Sequence, residues 1–153
     1  MTQQDKKLLI KDLCARLPYR VVVDYAHNAF DVHKGHYLKS GSKNILNCYL
    51  LDTFISPRQN ENGEYIKPYL IPLSKMTEEQ KISCFEGTDI ELDENSEIWS
   101  KISSDTYTTI TNMNNWLKVI DWLNKNHFDY RGLIEKGLAI DSTDLNIYRL
   151  WQK

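Results

Sequence analysis

Leu9, Ile10, Leu13, Cys14 and Leu17 recur at three- and four-residue spacing near the start of the chain, with Lys6, Lys7, Lys11 and Asp12 between them. That pattern predicts an amphipathic helix over residues 3–17 with the charged residues on its solvent side. Pro18 stops it, because the proline ring disfavours helical geometry in the residue before it. "YRVVVDY" follows and reads as the first strand, since its consecutive valines are β-branched. Residues 26–44 are polar, with Gly35, Gly41 and "SGSKN" as turn material, and read as a strand–loop–strand excursion at the surface. "ILNCYLLDTFI" (45–55) is apolar again and reads as a bent strand or two shorter ones. "SPRQNENG" is a loop by composition, and "YIKPYLIPL" is extended, with Pro68 and Pro72 placing it at a sheet edge or exit.

Further along, "TEEQ" from Thr77 to Gln80 is a capping box, which predicts a short helix ending near Gly87. "TDIELDENSEIW" fits either a strand with a loop or an irregular excursion. The strongest helical period covers 112–126, where Met113, Trp116, Leu117, Ile120 and Leu123 form one stripe behind the cap candidate Thr111. In the tail, Gly132 and Gly137 mark turns and "LNIYRL" reads as a last strand. Together these elements predict a single α+β domain over residues 1–153: an N-terminal helix, a small mostly antiparallel sheet that could close as an SH3-like barrel, and a long C-terminal helix packed on it.

Composition adds constraints. The chain is 41% hydrophobic and 26% charged, which suits a globular protein and not a disordered one. No run approaches the length of a membrane span, and the N-terminal residues lack a signal-peptide pattern. Cys14, Cys48 and Cys84 form no CxxC pair, so they are expected to be reduced thiols in a cytoplasmic protein, each acting as a small buried apolar residue. The net charge of −2 is unevenly spread: residues 1–60 hold nine Lys/Arg against five Asp/Glu, and residues 61–100 hold three against ten. A dedicated nucleic-acid binder is usually more basic than this, so nucleic acid is a possible partner but not the favoured one.

The richest candidate chemistry is "DYAHNAFDVHKGHY", which contains His27, His33 and His36 in an H-x5-H-x2-H spacing, with Asp31 among them. Zinc or another divalent transition metal needs three or four ligands converging at about 2.0–2.3 Å. A loop can bring such residues together, whereas an extended chain sends positions 33 and 36 to opposite faces. A second cluster, His127, Asp129, Tyr130 and Arg131, follows the long helix and fits a recognition patch or a proton-transfer group. Its structural alternative has His127 at the helix C-cap, Asp129 paired with Arg131, and Phe128, Tyr130 and Leu133 packed under the turn. The acids of 86–97 read as a solvated face rather than a glycosidase or Mg²⁺ site, and Trp99, Tyr107 and Trp151 read as core rather than base-stacking residues. No phosphate loop, dinucleotide fingerprint or nucleophile elbow is present in the sequence.

Three blocks, "KKLLIKDLCARLPYRVVV", "IKPYLIPLSKMTEEQ" and "WLNKNHFDYRGLIEKGLAID", resemble segments of small uncharacterised proteins of gut-bacterial phages, prophages and mobile elements. The resemblance implies an origin in such elements of a bacterial host and a small curled sheet or SH3-like barrel as the fold, but assigns no reaction; with the cysteine usage above, the expected setting is the host cytoplasm. The chain departs from these relatives between residues 26 and 64, where its histidines lie. With no complete catalytic constellation in the sequence, the expected function is that of a phage or mobile-element accessory protein. It would act without catalysis or cofactor, by binding a host or phage protein or by self-association. The alternative is a metal-dependent hydrolase or nuclease built on His27, His33 and His36, and the third reading is a weak nucleic-acid-binding module.

Overall fold

The structure is a computed structural model and describes residues 1–31, 36–55, 65–86 and 113–150. The loop "SPRQNENG", the acidic stretch 88–99, His33, Trp99, Tyr107 and Trp151 lie outside the described residues. The chain is α+β and falls into two compact units, Met1–Lys75 with Asn124–Lys153, and Met76–Leu123.

The first unit begins with α1 (Gln3–Arg16), capped by Thr2. The Thr2 hydroxyl accepts from the Asp5 N–H at 3.0 Å, and the Asp5 carboxylate accepts from the Thr2 N–H at 3.1 Å. A short 3-10 turn (Leu17–Tyr19) contains Pro18, and Arg20 at φ 54° turns the chain into β1 (Val22–Asp31). The buried face of α1 is Leu9, Asp12, Leu13 and Arg16, an i, i+3, i+4, i+7 stripe. Asp12 was expected on the solvent side and is instead fully buried. The helix is rotated toward that stripe because Arg16 is available to pair with Asp12.

β1 and β2 (His36–Ile45) form one long antiparallel hairpin, paired from Val22↔Ile45 to Asp31↔His36. The first strand thus runs six residues past Tyr25, and Gly41 with "SGSKN" belongs to β2 rather than to a turn. β3 (Tyr65–Pro72) lies antiparallel to β1, from Val23↔Pro68 to Ala26↔Tyr65. Two very short strands run parallel to β3: β4 (Phe128–Asp129) at Ile71 and Pro72, and β5 (Ile140–Asp141) at Tyr69 and Leu70. Among the described residues β2 has β1 as its one strand neighbour, and no pairing closes the sheet into a barrel.

Strand alternation divides the apolar residues between the two sides of this sheet. Val23, Ile66 and Leu70 join Leu9 and Leu13 of α1 in the main core, with Val21, Leu46, Phe54, Leu133 and Leu138. Val22 and Tyr69 face the other way and meet Ile147 and Tyr148.

Two segments expected as strands are helices. "ILNCYLLDTFI" leaves β2 at Ile45 and forms α2 (Cys48–Ile55). Asn47 caps it, its side-chain oxygen accepting from the Leu50 N–H at 2.9 Å. Leu50, Leu51 and Phe54 then share the buried face at helical spacing, a pattern that a dense apolar run hides. The final "LNIYRL" forms α5 (Ile147–Leu150). It follows a turn in which the Asp141 carboxylate accepts from both the N–H and hydroxyl of Thr143, at 2.9 and 2.6 Å.

In the second unit, α3 (Glu78–Phe85) starts from the anticipated capping box, Thr77 and Gln80 exchanging bonds of 2.9 and 3.2 Å. α4 (Met113–Lys125) matches the predicted long helix in extent, not in face. Asn115, Val119 and Leu123 are its buried row, whereas Leu117 is 58% exposed and Ile120 is also exposed. No helix among the described residues is long and apolar enough to cross a membrane.

Candidate functional site

The hairpin register fixes the backbone positions of two of the three clustered histidines. His27 stands opposite Ser40 and His36 opposite Asp31. These positions are four residue pairs apart along the ladder, about 13 Å at the rise of a β-strand. The backbone therefore separates His27 from His36 and places His36 beside Asp31. His33 lies outside the described residues. Among the described residues no group of three His, Cys, Asp or Glu side chains is arranged to hold a metal ion.

The second cluster is drawn into a buried network that reaches back to α1. Arg16 and Asp12, one helical turn apart, are both fully buried, with Arg16 Nε donating to Asp12 Oδ2 at 2.7 Å. Arg131 Nε donates to the other Asp12 oxygen at 3.1 Å. Asp129 and Arg131, the expected pair, are not partners: the Asp129 carboxylate accepts instead from the backbone N–H groups of Leu133 and Ile134, at 2.9 and 2.8 Å. The backbone turn offers two N–H groups that converge on the Asp129 carboxylate, and Asp12 offers Arg131 a carboxylate in its place.

The network continues outward. Arg16 Nη2 donates to the Phe128 carbonyl at 2.8 Å, joining residues 112 positions apart. Arg131 Nη2 donates to the Tyr130 hydroxyl at 2.7 Å, and that hydroxyl donates to Asn124 Oδ1 at 3.1 Å. Both guanidiniums lie over the Tyr130 ring, 5.5 and 4.7 Å from its centre. His127 does follow the end of α4, in the left-handed region at φ 60°. Its ring stacks on Tyr148 at 3.9 Å, and Tyr148 donates its hydroxyl hydrogen to the Tyr69 carbonyl. Burial, with a smaller push from the Arg16 charge, lowers the His127 pKa to about 4. Burial likewise pushes the Tyr148 phenol well above its ordinary value.

These groups make a structural clamp. Asp12 has both oxygens engaged by guanidiniums, and Asp129 has both engaged by backbone donors, so neither carboxylate is presented as a general base. The three cysteines are free, but only Cys84 is buried, its thiol pushed up to about 12; Cys14 and Cys48 are exposed, contrary to expectation.

What the clamp positions is the loop 129–139, and beside that loop lies a cleft of about 500 Å³. α1 contributes Asp5 and Leu9, α2 contributes Phe54, β3 contributes Tyr65, Ile66 and Lys67, and the loop contributes Lys136, Gly137 and Leu138. The cleft exists because β5 leaves β3. The N–H of Ser142 donates to the Leu70 carbonyl at 2.8 Å, so β3 shows the backbone of Leu70 to that side. Upstream, the loop turns its donors inward: Leu138 and Ala139 both bind the Leu133 carbonyl, at 2.8 and 3.2 Å, and Gly137 binds the Ile134 carbonyl at 2.9 Å. By alternation Ile66 turns its N–H and C=O to the same side as Leu70, and like Leu70 it is buried there. Pro68 gives an independent check. It has no N–H, so its pairing with Val23 is of the non-hydrogen-bonded kind, and Ile66, two residues away, shares that orientation.

Sequence reasoning passed over both features. A signal for the clamp was present: Asp12 and Arg16 complete the i, i+3, i+4, i+7 stripe begun by Leu9. The cleft had none, since it depends on where a parallel partner leaves its strand. No protein-family model matches the chain. No curated protein and no solved structure is similar enough to match either.

Proposed function

We propose that this chain is a binding protein that acts without catalysis, of the accessory kind carried by phages and mobile elements, and that it holds a protein partner at the cleft beside β3. The observation that carries this reading is the cleft of about 500 Å³, whose walls are apolar at Leu9, Phe54 and Leu138 and whose rim carries Lys67 and Lys136. An apolar centre ringed by polar groups is the anatomy of a protein interface. The locked carboxylates of Asp12 and Asp129 also favour binding over chemistry.

A photo-crosslinking amino acid at position 136 tests it, with the same group at exposed Glu79 as the control, in lysate of a bacterial host. Discrete protein adducts from position 136 and none from 79 are expected; adducts with a second copy would identify self-association instead. Equal labelling from both positions, or turnover of a nucleotide, peptide or glycan that a point substitution abolishes, would overturn the reading.

A further inference from the structure

We infer that α5 is an acid-released strap: it lies docked on the sheet while His127 is neutral and lifts away when His127 takes up a proton. The strap is separate from the cleft. Its anchor is the small apolar cluster of Val22, Tyr69 and Ile147, on the side of the sheet away from Leu9, Ile66 and Leu70. Two side chains hold it. Ile147 is buried against Val22 and Tyr69. Tyr148 donates its hydroxyl hydrogen to the Tyr69 carbonyl, and its hydroxyl oxygen accepts from the Val22 N–H. That phenol bridges β1 and β3 one step beyond their last ladder pair, Val23↔Pro68. Asn146, at φ 40° just before α5, is the hinge, a left-handed position that asparagine tolerates.

The ring of His127 is the floor under Tyr148, the two rings lying 3.9 Å apart and 10° from parallel. His127 cannot draw back, because both of its backbone groups are held. Its N–H donates to the Asn124 carbonyl at 3.2 Å, and its carbonyl accepts from the Ile71 N–H at 2.9 Å. An imidazolium here has no partner among the described residues: Nδ1 is buried without a hydrogen bond, and so is Arg16 Nη1. The charge that α1 sets beside the ring is the Arg16 guanidinium, which opposes a second cation. Asp12, also on α1, has both carboxylate oxygens taken by Arg16 and Arg131, and Asp129 has both taken by backbone N–H groups. β3 presents the Tyr69 carbonyl, already bound, and α5 presents the neutral Tyr148 phenol, which burial holds above its ordinary pKa. Only water can then solvate the added charge, and lifting Tyr148 admits it. Docked, His127 titrates at about 4, and released it returns toward its ordinary 6.5. Release should therefore grow about tenfold for each pH unit of acidification between those values.

A 3-fluorotyrosine at position 148 of the full chain, followed by fluorine NMR with saturation transfer from about pH 7 to about pH 4.5, tests this. A docked signal is expected at the neutral end, and a second, released signal should grow about tenfold per unit below about pH 6. The amide signals of α1 and of the β1–β2 hairpin should stay in place throughout. The His127 ring signal, read in the same samples, should titrate together with the released fraction. His127→Asn should hold that fraction constant across the range. A 3-fluorophenylalanine at 148, which lacks the hydroxyl bridge, should raise the released fraction at every pH and keep its slope. Absence of a second signal over the whole range overturns the inference, as does a His127 ring that titrates with no change at position 148. A released fraction that still climbs with acid in the Asn variant overturns the role of His127. Loss of the α1 and hairpin amides in step with the docked signal would make the event unfolding of the whole unit, and overturns the strap as well.

Discussion

Asp12→Asn removes the negative charge from a site where the Arg16 guanidinium is completely buried and a second guanidinium, that of Arg131, is mostly buried. Breaking a buried ion pair by removing one partner costs about 3–5 kcal/mol, because the remaining charge is left uncompensated in a poor solvent. Asparagine keeps the shape and one acceptor oxygen, so the lower end, about 3 kcal/mol, is expected. Against the total stability of an ordinary domain, about 5–15 kcal/mol, that is a large fraction. With a urea slope of about 2 kcal/mol per molar, the midpoint should fall by about 1.5 M, read by circular dichroism. The double variant Asp12→Leu with Arg16→Met removes both charges and replaces them with apolar groups of similar length. It should be less destabilised than the two single losses added together, by about 1–2 kcal/mol, since only the singles strand a charge. Full recovery is not expected, because the Phe128 carbonyl loses the 2.8 Å bond from Arg16. A loss below about 1 kcal/mol for Asp12→Asn, typical of an exposed pair, or strict additivity in the double variant, would refute the clamp.

His127 makes stability depend on pH. Its folded pKa, about 4, lies below the ordinary 6.5, so between those values the unfolded chain binds a proton that the folded chain does not. Stability should therefore fall as pH drops from about 6.5 to 4, by up to about 3 kcal/mol, and His127→Asn, which tolerates the left-handed backbone, should flatten that slope in urea titrations. Asp129→Ala strands the N–H groups of Leu133 and Ile134 and should cost about 3 kcal/mol, together with faster amide exchange at both. Gly137→Ala places a side chain at φ 67°, where strain of about 1–2 kcal/mol is expected in the melting midpoint although the space around it is open. Thr77→Ala removes the capping box of α3 and should cost about 1 kcal/mol, seen as earlier amide exchange in its first turn.

The clamp explains why the N-terminal and C-terminal blocks of the sequence are one unit. Residues 12 and 131 meet through a carboxylate, and residues 16 and 128 through a carbonyl. The loop between them and β5 is then held by Asp129 and by its own carbonyls, and its departure from β3 opens the cleft. The buried network thus fixes the loop that borders the cleft, although its own side chains do not line it.

Local chemistry sufficed for the start of the first helix region and its stop at Pro18, the capping box at Thr77, the extent of α4, the extended run through Val22 and the positive φ of Gly132 and Gly137. Each of these depends on atoms within a few residues of one another, which sequence spacing records directly. Three-dimensional packing decided the rest. It made "CYLLDTFI" a helix by giving Leu50 and Phe54 a common core to fill, and it turned "GSKN" into strand because β1 was there to pair with it. It also buried Asp12, since a carboxylate leaves water only where charged partners replace it, and those partners include a residue 119 positions away. The histidines stood out in the sequence by number alone, and the register set His27 and His36 apart. The cleft was invisible there because its lining comes from positions as far apart as Asp5, Phe54, Lys67 and Leu138, which only the packing of α1, α2, β3 and the loop brings together.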